Sequence, residues 1–372
     1  MPKISVCLPV YNGERFLAQA IESVLGQTFR DFEVLIADDR STDGSYAIAQ
    51  RFAQRDPRVH AWSNRTNLGL FANYNSCIQR AQGEYIKLFA QDDLLEPDAL
   101  QWLVKALESN PQVKLVSCGR RWIGPDNQQL QVVCPFPETR VIAGTDVIRY
   151  NLMQLGNWVG EPSTTMFRRA DAGDGFDTRF HHYGDIEYWF RIVESGDYLY
   201  LDDVLCSFRR HSGSSTTGNL AGLYFVLDML LLGKIYRRYS AELGESEEHF
   251  LRRALEVAAR HVDHLRTDDG LTAADVLAIE KGKVEEQKEQ LRQFKELSFH
   301  ALSYLSELLV ERHSLLCTIQ DLDEMVHDVK ANPWWRATKP LRQLSKKQVS
   351  GVDPDSPKIS SGKPAQGVVV GS

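Results

Sequence analysis

The chain has 372 residues, of which 43% are hydrophobic and 25% are charged, as in globular proteins with a full core. Its formal net charge is −7 and its isoelectric point is near 5.8, so no overall basic field indicates a nucleic-acid partner. The length predicts roughly two or three structural units.

Targeting signals and cysteine chemistry are not evident in the sequence. Residues 1–3 run directly into a strand-like segment, without the apolar stretch of a secretory signal peptide. The most apolar later segment, residues 223–235, contains Asp228 and is too short to span a bilayer. The six cysteines form no Cys-x-x-Cys pair, which disfavours a zinc site and favours reduced thiols. The sequence therefore predicts a cytoplasmic location.

The first ninety residues alternate between strand-like and helix-like segments. Short apolar runs predict strands at 4–10, 32–37, 58–63 and 84–90. Helical spacing separates them, over 14–29, 45–54 and 71–81. Such close alternation is typical of a parallel α/β sheet with helices on its faces.

Two of these strands end in adjacent carboxylates. The second strand leads to Asp38 and Asp39, and the fourth leads to Asp92 and Asp93, before a helix with Pro97 at its first position. Ligands of open α/β sheets bind at this edge, and paired carboxylates favour a divalent cation that carries phosphate oxygens. The alternative is a turn or a helix N-terminus that simply favours Asp.

Other phosphate-binding motifs are missing from the sequence. No G-x-G-x-x-G follows the first strand, and no G-x-x-x-x-G-K-[ST] occurs anywhere. This argues against a dinucleotide oxidoreductase and against a P-loop enzyme.

Further along, the pattern predicts a helix at 97–110, a strand at 113–118, a helix at 145–155 and a strand at 199–206. Asp185 falls in the first turn of another helix, where it can act on a ligand or only cap the helix. Arg209 and His211 lie in a segment, 208–215, that we expect to be a flexible loop suited to a diphosphate. The alternative is a solvated basic loop.

Eight ordered motifs then carry a family resemblance, over roughly residues 3–215. They are LPVYN (8–12), SVLGQT (23–28), FEVLIADD (32–39), STDGS (41–45), NLG (67–69), GEYI (83–86), AQDD (90–93) and GD (184–185). Together they resemble the family 2 glycosyltransferases, which implies the GT-A fold for residues 1–217.

The resemblance also implies how a nucleotide-sugar donor is bound. By analogy with the family, Pro9, Tyr11 and Glu14 would line the pocket for the base, and Asp39 would contact a uracil or thymine ring. Asp92 would meet the ribose or the sugar. The implied donor is a UDP- or dTDP-sugar.

The family pattern further implies a metal ion at the leaving diphosphate. Asp93 would hold Mn²⁺ or Mg²⁺, with His211 as a further ligand and Arg209 near the phosphates. The sequence departs from the family's D-x-D-D form, because Ala90 stands where the leading Asp is expected.

Catalysis and acceptor binding are implied for residues of the later motifs. Asp185 would be the general base, and it stands alone because Gly184 replaces the first acid of the usual pair. Pro162, Ser163 and Trp189 would lie near the acceptor.

Residues beyond about 217 have a different character. We expect a helical extension at 218–283 and, from an apolar repeat, a coiled-coil-like helix at 284–330. That helix predicts a homo-oligomer or a partner helix, and the alternative is a long helix packed on its own domain. Residues 331–348 combine two Trp with basic residues, as suits an anionic membrane surface, unless the Trp pack on the protein. Residues 349–372 have the composition of a disordered tail.

The resulting hypothesis is an inverting, metal-dependent glycosyltransferase of bacterial surface-polysaccharide synthesis. Its acceptor would be a glycan or a lipid-linked hydroxyl at the cytoplasmic face of the inner membrane. Two alternatives stay open: a nucleotidyltransferase on a related fold, and a non-catalytic scaffold that binds a nucleotide-sugar or a glycan.

Overall fold

The computed structural model describes residues 1–211, 214, 224–242, 244–246, 249–250 and 253. The expected coiled-coil-like helix, the basic Trp segment and the tail lie outside these residues, as does most of the helical extension. None of the described helices is both long enough and apolar enough to cross a membrane.

The first half of the fold is the expected alternation of strands and helices. Its elements are β1 (Ile4–Val10), α1 (Leu17–Leu25), β2 (Phe32–Asp38), α2 (Ser45–Arg55), β3 (Val59–Ser63), α3 (Leu70–Ile78) and β4 (Tyr85–Leu88). Every residue of β1 and β2 is buried, which explains their unbroken apolar sequences. Strand β1 pairs in parallel with β2 on one side and with β4 on the other, so β2 and β4 deliver their acid pairs to one edge.

The second half adds six strands and five helices among the described residues. Its strands are β5 (Leu94–Leu95), β6 (Val113–Ile123), β7 (Gln129–Val133), β8 (Arg140–Ala143), β9 (Met166–Arg168) and β10 (Asp197–Arg209). Its helices are α4 (Ala99–Ser109), α5 (Gly144–Gln154), α6 (Gly184–Val193), α7 (Tyr224–Ile235) and, after these four, the short α8 (Arg237–Glu242). Two 3₁₀ turns, Pro162–Thr164 and Arg169–Asp171, flank β9.

The sheet is mixed rather than mostly parallel, which corrects the sequence-based expectation. Its order is β3-β2-β1-β4-β9-β6-β10-β5, with β7 on β6 and β8 on β10. Strand β9 enters antiparallel between β4 and β6, and β5, β7 and β8 also pair antiparallel. The parallel pairings are confined to β1–β4 and to the pair β6–β10.

Two local expectations near the acid pair are wrong. Helix α4 begins at Ala99, so Pro97 precedes it, because the chain first forms β5 against β10. Arg209 is the last residue of the long strand β10 and is 1% exposed, so it does not belong to a flexible loop. Both differences arise from pairing with β10, which is more than a hundred residues away from β5 in sequence.

Candidate active site

The acid pair after β4 is divided between the interior and the surface. Asp93 is 1% exposed, and its Oδ1 accepts a hydrogen bond of 2.9 Å from the backbone N–H of Arg209. Among the residues that the structure describes, none hydrogen-bonds to its buried Oδ2. Burial and the neighbouring Asp92 raise the pKa of Asp93 well above its usual range. Asp92 is partly exposed, and its Oδ2 lies 2.9 Å from Nε2 of His211.

The side chain of Arg209 forms hydrogen bonds to protein groups beside the acid pair. Its guanidinium lies over the ring of Phe16, which also contacts the ring of His211. The guanidinium donates hydrogen bonds of 2.6–3.2 Å to the carbonyls of Asp92, Gly124 and Pro125 and to the side chains of Asn127 and Gln19. Arg209 therefore fixes the acid pair through its own backbone N–H and through the Asp92 carbonyl. A direct contact with donor phosphates, as the family implies, stays a prediction.

The end of β1 lies next to the acid pair. The side-chain amide of Gln91 exchanges two hydrogen bonds with the backbone of Tyr11, at 2.8 and 3.0 Å. Pro9 is buried, Tyr11 is 47% exposed, and the exposed Glu14 accepts a hydrogen bond from the Gly44 N–H. Sequence reasoning gave Gln91 no role, although its place between Ala90 and the acids was visible.

Asp39 has a clear structural task at the neighbouring strand end. Its carboxylate is 2% exposed and accepts hydrogen bonds from Asn64 Nδ2 and from the backbone N–H groups of Leu68 and Gly69. It thereby fixes the 64–69 loop beside the predicted base pocket. A contact between Asp39 and the base stays a prediction.

Asp185 lies in the first turn of α6 and is 8% exposed. Its Oδ2 accepts a hydrogen bond of 2.9 Å from Asn157 Nδ2, and its Oδ1 accepts one of 2.8 Å from the Ile186 N–H. Burial raises the pKa of Asp185 to about 7, and the nearby charge of Glu161 contributes to the increase. A carboxyl with such a pKa can accept a proton near neutral pH. Asp185 thus hydrogen-bonds within its own helix turn and also has the chemistry of a base.

A loop at 157–165 joins Asp185 to the acid pair. Asn157 holds Asp185 and also accepts the Gly160 N–H. At the other end of the loop, Ser163 Oγ accepts the Ala90 N–H at 2.9 Å. The fully buried Lys87 of β4 donates a hydrogen bond from Nζ to the Ser163 carbonyl. The loop is thus hydrogen-bonded to Asp185 at one end and to Ala90, two residues before Asp92, at the other, an arrangement that local sequence patterns did not reveal.

Only one of the three predicted acceptor residues is accessible. Pro162 is partly exposed, whereas Ser163 is 1% exposed. Trp189 is completely buried, and its indole N–H donates to the Gly160 carbonyl at 3.1 Å. Helix α6 turns the Trp189 side chain into the core, so it presents no surface to an acceptor, and its place near the acceptor stays a prediction.

The comparisons with known proteins identify the family. The sequence model described as Glycosyl transferase family 2 matches residues 5–175. A Mycobacterium tuberculosis protein named uncharacterized protein MT1568 is 33% identical over 226 residues, which cover 58% of this chain and 69% of that protein. The chain belongs to glycosyltransferase family 2. It is accordingly a glycosyltransferase, as the motifs predicted.

Other relatives and solved structures resemble this glycosyltransferase. The putative glycosyltransferase EpsE of Bacillus subtilis is 29% identical over 248 residues, which cover 66% of this chain and 85% of that protein. A crystal structure of S. aureus TarS 1-349 in complex with UDP is 20% identical. It superposes with a TM-score of 0.52 and covers 72% of this chain and 73% of that one. This likeness shows a shared fold.

The acid pair and His211 of this glycosyltransferase offer a hard divalent cation a small set of donors. Within the described ranges, no group of three or more His, Cys, Asp or Glu side chains is arranged to hold a metal ion. Asp92 and His211 nevertheless face each other, and the unpartnered Oδ2 of Asp93 is costly unless a proton or a cation compensates it. Mg²⁺ commonly takes one or two carboxylates and completes its shell with substrate phosphates and water, so this donor set fits the group.

Proposed function

We propose that this chain transfers a sugar from a nucleoside-diphosphate sugar to an acceptor hydroxyl, with inversion at the anomeric carbon. The observation that carries the proposal is Asp185. It is a buried carboxyl with a pKa raised to about 7, and the loop that holds it through Asn157 also binds Ala90, two residues before Asp92, through Ser163. A general base needs a pKa near the working pH, and an inverting transfer needs one such base.

The proposed chemistry is a single displacement. Asp185 takes the proton from the acceptor hydroxyl, whose oxygen forms a bond to the anomeric carbon. The bond between that carbon and the diphosphate oxygen breaks, and the diphosphate leaves with the electron pair. Attack on the face opposite the leaving group inverts the configuration. Asn157 orients Asp185 through its bond to Oδ2.

A bound Mn²⁺ or Mg²⁺ would neutralise charge that develops on the departing diphosphate. Asp93 and His211 are the residues that would hold it; Asp92 lies 2.9 Å from His211, and Arg209 keeps the two acids in place. The donor set therefore supports a metal-dependent enzyme.

The donor proposed is a UDP- or dTDP-sugar. The side chains proposed around its base are Pro9, Tyr11 and Glu14, together with Asp39, and Asp92 is proposed at the ribose or the sugar. Pro9 lies near the end of β1 and the others follow β1, β2 or β4 at the same sheet edge, which supports a shared pocket. S. aureus TarS was crystallised with UDP, in line with this donor class.

The acceptor proposed is a glycan or a lipid-linked hydroxyl of a cell-surface polysaccharide, with Pro162 and the loop around it nearby. The chain is 25% identical over 221 residues to the chondroitin synthase of Pasteurella multocida and covers 22% of that protein.

We further propose a cytoplasmic location with peripheral contact to the inner membrane through the basic segment 331–348, and self-association through 284–330.

Donor binding and donor hydrolysis across a panel of nucleotide-sugars, with and without Mn²⁺, test the proposed function. We expect one donor to bind in a metal-dependent way to the wild type, and Asp93→Ala to abolish that dependence. Asp98→Ala is the matched control, because Asp98 is exposed and lies outside the site. If no nucleotide-sugar binds under any metal condition, the proposed site is wrong. If a donor binds but no acceptor yields product, the scaffold alternative replaces the enzyme.

The pH dependence of turnover should report the base. Because Asp185 must be deprotonated to accept a proton, kcat should rise with pH through an acid limb near pH 7 and then level off. Donor binding, measured over the same range, should lack this limb. An acid limb near pH 4, or one that appears equally in donor binding, would contradict the assignment of Asp185.

A further inference from the structure

Asp228 in α7 binds the turn that precedes the helix of the proposed base. Asp228 is 2% exposed. Its Oδ2 accepts three hydrogen bonds, from the backbone N–H groups of His181 at 2.8 Å, His182 at 2.5 Å and Tyr183 at 2.8 Å. Three consecutive N–H groups thus converge on one carboxylate oxygen, which fixes the backbone of residues 181–183.

This turn leads directly into α6, which begins at Gly184, one residue before Asp185. Tyr183 is the residue before α6, and its side chain makes no capping hydrogen bond. Helix α6 therefore has no N-cap side chain of its own, although the first N–H groups of a helix need acceptors. Asp228 supplies a carboxylate to the segment just outside the helix, two residues before Asp185.

Other residues of α7, of α8 and of the turn between them also contact α6 and the residue after it. The ring of Tyr236 packs edge-on against the ring of Phe190, with centroids 5.0 Å apart. Arg238 of α8 pairs with Glu194, which follows α6 directly. Met229 and Leu232 of α7 are buried and line a cavity. Tyr183, which precedes α6, and Ile186 and Phe190 of α6 line the same cavity. The start of the helical extension is thus packed against the helix of the proposed base.

We propose that Asp228 is a positioning residue for Asp185, so that the helical extension takes part in placing the base. This inference rests on the proposed function. Asp228 never touches the acceptor or the donor; it acts by fixing the 181–183 turn and, with it, the direction of the Asp185 side chain. Its titratable neighbours among the described residues are His181, His182, Tyr183 and Asp185.

Three variants of the full chain test this role: Asp228→Ala, Asp228→Asn and Leu232→Ala. Leu232→Ala is the matched control, because it removes buried contacts of the same helix without removing the acceptor of the 181–183 N–H groups. Asp228→Ala should lower kcat by about a hundredfold, since misplacing a reacting group by about 1 Å has that effect. The donor KM should stay within about threefold, because the donor site lies elsewhere. Asp228→Asn keeps an oxygen that can accept the N–H groups and should recover much of kcat.

Two results overturn the proposal. The first is an Asp228→Ala kcat within about twofold of that of Leu232→Ala when each is assayed well below its own Tm, because the role would then be structural only. The second is an Asp228→Asn protein that is no more active than Asp228→Ala.

Hydrogen exchange separates this inference from the proposed function. The amides of residues 181–183 should lose protection in Asp228→Ala and keep it in Leu232→Ala, without any substrate present. If the wild type transfers no sugar and this exchange pattern still appears, the proposed function fails while the contact with the turn stands. If the amides keep their protection in Asp228→Ala, the inference fails whatever the enzyme does.

Discussion

Asp185→Asn is expected to lower kcat by about 10²- to 10⁴-fold, which is the usual contribution of a positioned general base. The amide cannot take the proton of an acceptor hydroxyl, yet it has nearly the same shape. Its carbonyl oxygen can still accept one of the two hydrogen bonds made by Asn157 and Ile186. Donor affinity should therefore stay within about threefold of the wild-type value, measured by titration with the donor found in the panel.

Asp146→Asn is the matched control for this change. Asp146 also lies in the first turn of a helix, α5, and it pairs with Arg149 on the surface. Its replacement removes a charge from a helix N-terminus, which costs about 0.3–1 kcal/mol of stability, and should leave kcat unaltered. Near-wild-type turnover in Asp185→Asn would show that another group takes the proton. An equal fall in both variants would point to helix stability instead.

The sequence was most informative where local pattern and burial agree. Strand β1 has the predicted bounds Ile4–Val10, and β2 exceeds its prediction by one residue, Asp38. Both strands are covered on both faces, so their apolar runs are unbroken and unambiguous. The position of Asp185 in a first helical turn followed from the same kind of local pattern. Several family motifs overlap these elements: 8–12 overlaps β1, 32–39 overlaps β2, and 184–185 opens α6. The comparisons confirm the family assignment.

Long-range pairing was not visible in the sequence. Strand β9 has only three residues, and its insertion between β4 and β6 depends on partners far along the chain. Arg209 was expected in a flexible loop because basic residues and hydroxyls follow it. Its burial depends on β10 continuing beyond Cys206 in regular pairing with β6, up to the carbonyls around Gly124. Local composition carries no information about such contacts.

The position of Trp189 shows the same limit for a site residue. Helical spacing correctly predicted that Trp189 faces inward together with Ile186 and Phe190, and all three are buried. The family resemblance also implied that Trp189 lies near the acceptor, which stays a prediction. The buried indole N–H donates to the Gly160 carbonyl, which belongs to the same loop as Pro162, so Trp189 can be buried and still lie close to that loop. A residue can thus support a site without reaching its surface.

Arg209→Lys should show whether the guanidinium serves the fold or the donor. A lysine ammonium has three donors and no planar fork, so it cannot satisfy the carbonyls of Asp92, Gly124 and Pro125 together. Hydrogen bonds to a charged group contribute about 1.5–3 kcal/mol each, so we expect a loss of about 3 kcal/mol in the free energy of unfolding, measured in urea. The acid pair is fixed by these contacts, so metal-dependent donor binding should weaken together with stability.

Arg210→Lys is the matched control for Arg209→Lys, since it changes the neighbouring arginine in the same way. Arg210 is partly exposed and lies over the ring of Trp122, a contact whose loss costs about 1 kcal/mol or less. If Arg209 instead contacts the donor phosphates, as the family implies, Arg209→Lys should leave the unfolding midpoint near that of Arg210→Lys while the donor KM rises steeply. If stability and donor binding fall together, the guanidinium acts by holding Asp92 and Asp93 at the sheet edge. Arg209 Nη1 donates to the carbonyls of both Gly124 and Pro125. The first of these results would therefore require this nitrogen to leave both carbonyls when the donor binds.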